Sequence, residues 1–313
     1  MMTTKGKRKM NAQKITTFGH LASLICVTVW GATFISTKIL LQTFTPAEIL
    51  FIRCIIASIA LFLCRPQRLK LTDKKQEFLF IGAGLSGITL YFLFENIALT
   101  CTAASNVSVI ITVAPFFTAL FSAWFLKSEK PRGQFYIGFL VAIMGVGLIS
   151  YNGSIVLELN PLGDLLAVLA ALAWAIYSIL TKKIGACGYN MIVATRRVFF
   201  YGLLFMIPVL LLTETKMTLQ ELLRPLHLGN FLFLGLGASA LCFVIWNIAV
   251  KFIGAVKTSV YIYLVPVVTV AISTFILKEP LTPALVIGTL LTLIGLWLSE
   301  TRFFERFLKS PVV

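Results

Sequence analysis

Charge is what this sequence lacks most. Asp, Glu, Lys and Arg make up only 12% of its 313 residues, against roughly 25% in a soluble globular domain. A chain so composed cannot cover a water-facing surface. Acids are scarcer still: there are 12, against 27 lysines and arginines, and only two histidines, His20 and His227. An enzyme embedded in a membrane needs acids, His or Cys gathered in its apolar segments, and these acids sit mostly at loops and helix ends. The six cysteines (Cys26, Cys54, Cys64, Cys101, Cys187 and Cys242) form no C-x-x-C pair and lie mostly inside apolar runs. They read as small buried apolar residues, with no disulfide framework, no metal site and no cofactor. No P-loop is present, so ATP-driven pumping is not indicated. The one G-x-G-x-x-G match, "GAGLSG" at 82–87, lies inside an apolar helical run. A dinucleotide site needs a strand before it, so close helix packing through small residues is the better reading.

What the chain has is apolar length. Hydrophobic residues make up 58% and the mean hydropathy is +0.94. Crossing a bilayer takes about 20 apolar residues per helix. Ten runs qualify, at about 17–40, 46–64, 77–99, 103–126, 133–151, 162–181, 190–212, 228–250, 256–277 and 282–299. They are continuously apolar rather than alternating, which predicts helices and not a β-barrel. The first is too long for a signal-peptide core and has no small-residue cleavage site. The expectation is an all-α integral membrane protein of ten transmembrane helices, with tails at 1–16 and 300–313.

The net charge of +15 does not point to nucleic acid, because the basic residues are scattered between apolar runs rather than gathered on one face. Their placement instead predicts orientation. Twenty of the 27 fall in the N-tail (such as Lys5, Lys7 and Arg8), the loops after runs 2, 4, 6 and 8, and the C-tail. Only Lys216, Arg224 and Lys278 fall on the other side, and Lys38, Arg53, Arg196 and Arg197 lie within runs. Cytoplasmic loops carry the Lys/Arg excess, so both termini are expected in the cytoplasm, at a plasma (inner) membrane.

The chain also repeats itself. "ENIAL" at 95–99 returns as "WNIAV" at 246–250. Trp30/Trp174, Thr37/Thr181, Lys38/Lys182 and Arg53/Arg197 share a shift of 144; Asn96/Asn247, Ala98/Ala249, Ala104/Ala255, Ser108/Ser259 and Pro115/Pro266 share a shift of 151. Glu129/Glu279, Gly138/Gly288 and Gly145/Gly295 follow at 150. The units are 17–151 and 162–299, each of five helices. Five is odd, so the second unit enters the membrane from the opposite side, giving an inverted-topology repeat, the architecture of many secondary transporters.

The motifs carry a resemblance. "WGATF" at 30–34, "FIRCIIA" at 51–57, "IALTCTAAS" at 97–105, "VAPFFTALFS" at 113–122 and "SEKPRGQFYIG" at 128–138 are answered by "WAIYS" at 174–178, "IAVKFIGAVKTS" at 248–259, "LVPVVTV" at 264–270 and "KEPLTP" at 278–283. In this order, in two copies and over nearly the whole length, they resemble the EamA-type branch of the drug/metabolite transporter superfamily. The resemblance implies a ten-helix fold, a central cavity, a small metabolite, amino acid or drug-like substrate, and export rather than import.

Several polar and aromatic residues then become candidates, each with a plainer reading beside it. Trp30 and Trp174 lie about 12 residues into their runs, roughly 18 Å deep, whereas membrane tryptophans prefer the interface. Cavity lining is favoured over packing, and Tyr91 and Tyr177 are weaker candidates of the same kind. Asn96 and Asn247 fit a fixed bond between helices or contact with a polar substrate. Pro115 and Pro266, near mid-run, each free the carbonyl four residues back, at Ile111 and Ile262. They are either packing kinks or gating bends at a cavity. Ser108 and Thr112 share Pro115's face, as Ser259 and Tyr263 share Pro266's. Arg53 and Arg197 read as structural anchors rather than anion sites; Glu129, Glu279 and Asp164 read as helix-end and loop structure. Glu95 breaks the repeat, since its counterpart is Trp246. An embedded acid is expensive and usually faces a cavity. It would couple protons to transport or pair with a cationic substrate, unless it is a solvated structural group near the outer interface. The leading function is a secondary transporter working by alternating access, with a passive facilitator or channel of the same fold as the alternative.

Overall fold

The computed structural model describes residues 4–101, 104–126, 133–151, 161–277 and 283–300. The described residues are all-helical, with no strand among them. The helices are α1 (Thr4–Leu40), α2 (Pro46–Cys64), α3 (Lys74–Cys101), α4 (Ala104–Ile111), α5 (Ala114–Phe125), α6 (Gly133–Tyr151), α7 (Pro161–Ala186), α8 (Met191–Leu212), the short α9 (Leu219–Leu222), α10 (Pro225–Ile253), α11 (Ala255–Val260), α12 (Leu264–Leu277) and α13 (Pro283–Glu300). Six stretches, namely α1 from Ile15 onward, α2, α3, α7, α8 and α10, are long and apolar enough to cross a membrane. Ala114–Phe125, Gly133–Gly145, Ala255–Thr269 and Val286–Ser299 are shorter apolar helices. Large apolar side chains such as Leu63, Phe78, Trp124, Leu211 and Leu212 are exposed. That surface suits lipid and not water.

Local chemistry sets several helix ends. Thr45 caps α2: its hydroxyl accepts from Glu48 N, and the Glu48 carboxylate accepts from Thr45 N at 2.8 Å. Pro46 occupies the first turn, where no N–H is missed. The other oxygen of Glu48 accepts from Lys216 N and Met217 N at 2.6 and 2.7 Å, which fastens the loop ahead of α9 to the start of α2. Asn190 caps α8 through Ile192 N. Gly254, at φ 94°, lets the chain turn directly from α10 into α11.

The prolines act more sharply than a kink. The helix stops at Ile111, and α5 resumes at Ala114 with Pro115 in its first turn. A 3₁₀ turn at Tyr261–Tyr263 likewise precedes α12, which holds Pro266 in its first turn. A proline cannot serve as an interior donor, so each helix breaks one turn ahead of it. Both α3 and α10 also contain π-helical turns, at Leu85–Leu90 and Phe233–Leu241. The apolar pattern predicts helices but does not mark a π turn. The basic N-tail differs as well: α1 begins at Thr4, because the lysines, Ala12 and Gln13 continue the helix. Glu129 and Glu279 lie outside the described residues.

The first helix of each half crosses to the other. α1 packs on α10 and α12, and α7 packs on α3, α4 and α5. α2 lies along α8, and α6 lies against α13. The last pair meets through glycines. A Cβ added at Gly138 would sit 2.7 Å from Gly295 O, and one at Gly145 would sit 2.6 Å from Gly288 O. The GAGLSG run also packs closely: a Cβ on Gly84 would lie 2.7 Å from Val198 O on α8, and one on Gly87 only 2.1 Å from the Tyr177 ring. On the loop between α2 and α3, Arg196 donates to Arg65 O at 2.6 Å, and Glu77 accepts from Arg197 and Tyr201. The structural anchor expected at Arg197 takes the form of an ion pair with Glu77.

Because a Cβ at Gly295 would meet Ala142 N at 2.4 Å, Gly295→Val is expected to wedge α6 from α13 and cost about 1–3 kcal/mol. A lowered melting temperature of the detergent-purified protein reads this out. An unchanged melting temperature would mean the two helices have room to separate.

Candidate functional site

The breaks and crossings leave a narrow cavity in the middle of the molecule. Its walls are Trp30, Thr33 and Phe34 from α1, Arg53 from α2, and Tyr91, Phe92 and Glu95 from α3, with Ile111 at the end of α4. Trp174 from α7, Phe243 from α10, Ile262 from the 3₁₀ turn and Val265 from α12 complete it. Helical spacing explains the groupings. Trp30, Thr33 and Phe34 stand at i, i+3 and i+4, and Tyr91 and Glu95 at i and i+4, so each set shares a face. Ile111 and Ile262 are the residues four positions before the two prolines, so the breaks border this space.

Aromatic rings dominate. Trp30 meets Trp174 edge to face at 5.2 Å and Trp246 at 4.8 Å. Tyr91 lies 4.8 Å from Trp174, and Phe243 lies 5.8 Å from both Trp30 and Trp174. The Trp30 ring N–H donates to Ala238 O at 3.0 Å. That carbonyl belongs to the π turn of α10, where the widened ladder leaves backbone groups open to other partners. Arg53 uses the same turn: its Nε donates to Ser239 Oγ at 2.9 Å. Its guanidinium lies over the Phe92 ring, 4.0 Å from the centroid. Glu95 is 6% exposed and stands one turn past Tyr91 on the same helix face. It therefore faces the interior, although its distance along α3 from Glu77 placed it near the outer interface.

Of the sequence-derived candidates, Trp30, Tyr91, Glu95 and Trp174 come together on the cavity wall. The others stand elsewhere. Asn96 donates to Pro46 O at 3.2 Å, bonding α3 to α2. Asn247 donates to Thr195 Oγ1 at 3.1 Å and accepts from the Tyr177 hydroxyl at 2.8 Å, bonding α10 to α8 and α7. Ser108 and Thr112 are buried near the α4–α5 break. Ser259 donates to Val256 O on its own helix, and Tyr263 is buried with its ring 6.4 Å from Phe139. Pro115 and Pro266 sit just past the two breaks. Sequence reasoning misses Phe34, Phe92 and Phe243 on the wall, and at Arg53 prefers a structural anchor to an anion site. The i+4 step from Trp30 to Phe34 was the available signal. Two lysines at repeat positions hold helix ends: Lys38 Nζ donates to Leu99 O at 2.9 Å, and Lys182 Nζ to Val250 O at 3.1 Å.

The comparisons with known proteins agree with one another. A model described as the EamA-like transporter family matches residues 17–151 and again 161–301. An uncharacterized transporter of Archaeoglobus fulgidus is 27% identical over 90% of this chain and 97% of its own. The uncharacterized transporter YyaM of Bacillus subtilis is 29% identical over 85% and 88%. A probable terminal-alkyne amino-acid exporter of Streptantibioticus cattleyicolor is 25% identical over 91% and 94%. A solved crystal structure shares the fold, with a TM-score of 0.70 at 20% identity over 95% of this chain and 99% of its own.

The Asn247 bridge should matter for stability. Asn247→Leu removes both of its bonds and strands the buried Tyr177 hydroxyl, at a cost of about 1–3 kcal/mol. Thermal unfolding in detergent, compared with wild type, measures it. A melting temperature equal to wild type would mean that neither bond contributes.

Proposed function

Because the chain belongs to the EamA-like transporter family, we propose that it is a secondary transporter of a small organic solute, working by alternating access through the central cavity. The carrying observation is the cavity itself, an aromatic space walled by helices from both halves of the chain. Such a space at the junction of two halves is where membrane carriers place their substrate sites. Export is the direction we assign, in keeping with the exporter among its relatives. Coupling to protons would run through Glu95, the acid on the cavity wall.

The architecture we assign is ten transmembrane helices in two five-helix repeats of opposite orientation. Reciprocal contacts support it. Gly138 and Gly288 are repeat equivalents, as are Gly145 and Gly295, and Gly138 meets Gly295 while Gly145 meets Gly288. A two-fold relation produces that exchange of partners. Lys38 caps Leu99 as Lys182 caps Val250, and Leu99 and Val250 are 151 residues apart, the shift of that part of the repeat. Trp30 and Trp174, also equivalents, touch each other. A passive pore of the same fold is the competing mechanism, and counterflow separates the two: a carrier saturates and shows trans-stimulation, whereas a pore shows neither.

Both termini are assigned to the cytoplasm of a plasma (inner) membrane. A reporter active only in the cytoplasm, fused after Val313, is expected to be active. Silence from a fusion protein that is present in the membrane would overturn the ten-helix map.

A metabolite comparison of cells with and without the protein, followed by proteoliposome assays, identifies the solute. With that solute, Trp30→Ala and Trp174→Ala are expected to cut transport by about tenfold or more each, since a fully buried large apolar contact is worth about 1.5–3 kcal/mol. Both variants should remain in the membrane. Wild-type kinetics in both would return the two rings to packing.

A further inference from the structure

Buried polar groups in a folded protein are nearly always hydrogen-bonded, so the exceptions are informative. Three of them line the central cavity: Nη2 of Arg53, Oε2 of Glu95 and Nε1 of Trp174 have no partner. Their residues are 2%, 6% and 3% exposed. Arg53 is held in place: its Nε is bonded to Ser239 and its guanidinium plane rests on Phe92. No hydrogen bond joins Arg53 Nη2 and Glu95 Oε2. The open valences are thus one cationic donor, one neutral donor and one anionic acceptor, set among six aromatic rings.

We propose that this cavity takes a zwitterion with an apolar body. The carboxylate of the solute lies on Arg53 Nη2 and the Trp174 N–H, its ammonium lies on Glu95 Oε2, and its apolar part lies among Trp30, Phe34, Phe92 and Phe243. This assignment rests on the reading of the cavity as the transported solute's site. Charge balance selects it. A simple cation satisfies Glu95 and leaves Arg53 bare in low dielectric, and a simple anion does the reverse. A neutral solute answers neither, and a bare buried charge is the costliest group to leave in place. A zwitterion pairs both and brings no net charge into the membrane interior.

The open charges are also peculiar to one half of the chain. Arg53 corresponds in the repeat to Arg197, which is paired with Glu77. Glu95 corresponds to Trp246, a fully buried ring packed on Trp30. Symmetric helix packing would not require two unmatched charges on one side of a cavity, whereas an asymmetric ligand with two unlike ends does.

Binding to the full chain in lipid nanodiscs tests the assignment, read by the fluorescence of the tryptophans at and beside the cavity. The probes are two matched series built on leucine and phenylalanine. Each has the free zwitterion, the amide (no carboxylate), the N-acetyl acid (no ammonium) and the N-acetyl amide (no charge). In at least one series the zwitterion is expected to bind about tenfold or more tighter than any analogue, one charge-assisted hydrogen bond being worth about that much. Arg53→Gln should erase the preference over the amide, and Glu95→Gln the preference over the N-acetyl acid. The wild-type series carries the test even if either variant fails to fold. Equal or tighter binding of an analogue in both series overturns the proposal. So does an absence of response to every probe. In that last case, counterflow of a different solute that is lost in Trp30→Ala would leave the transport reading standing and reject the zwitterion alone.

Discussion

A polar group inside a bilayer has no water to turn to, and most of this structure follows from that. The backbone answers by forming helices, with no strand among the described residues, which closes its hydrogen bonds within each segment. Polar side chains answer by bonding across helices. Asn96 reaches Pro46 O, Asn247 reaches Thr195 and Tyr177, Thr89 reaches Gly202 O at 3.1 Å, and the two repeat lysines reach the carbonyls at the ends of neighbouring helices. Even Glu48, fully buried, spends both oxygens on backbone N–H groups. Against that background the cavity stands out as the place where the rule is broken three times at once.

The broken helices are the other half of the same logic. Irregular backbone at membrane depth is tolerated where protein or a wet cavity covers it. The breaks ahead of Pro115 and Pro266 sit beside the cavity through Ile111 and Ile262, and the π turn of α10 spends a carbonyl on Trp30 and a serine on Arg53. Departures from regular helix therefore concentrate where a site needs donors and acceptors, and they are absent from the tight α6–α13 seam. There the repeated glycines bring backbones together instead.

The apolar runs, the small-residue packing of GAGLSG and the matched glycines could be read from sequence because each depends on local composition or spacing. So could Trp30 and Trp174 as a pair, through their depth and their shift. Asn96 and Asn247 were equally visible, but sequence could not choose between a bond across helices and a cavity wall. That choice depends on rotation about the helix axis, which the π turns alter without leaving a compositional mark. Arg53 and Arg197 show the same limit. They are equivalent by alignment, yet one pairs with Glu77 and the other faces the cavity, and only the position of a distant acid separates them.

The π turns carry a consequence of their own for how this chain can change. Each π turn accommodates a residue that a regular α-helix would not, and so re-phases everything after it by about 100° of rotation. Downstream of Leu85–Leu90 stand Tyr91 and Glu95; downstream of Phe233–Leu241 stand Phe243 and Trp246. The cavity wall is thus indexed by counting, like letters read in a fixed frame. Many point substitutions within either segment leave that count intact, whereas losing a single residue there would swing the wall toward a neighbouring helix or the lipid. The residue count of these two stretches holds the wall in register, just as Gly87 and Gly235 within them keep the room that close packing needs.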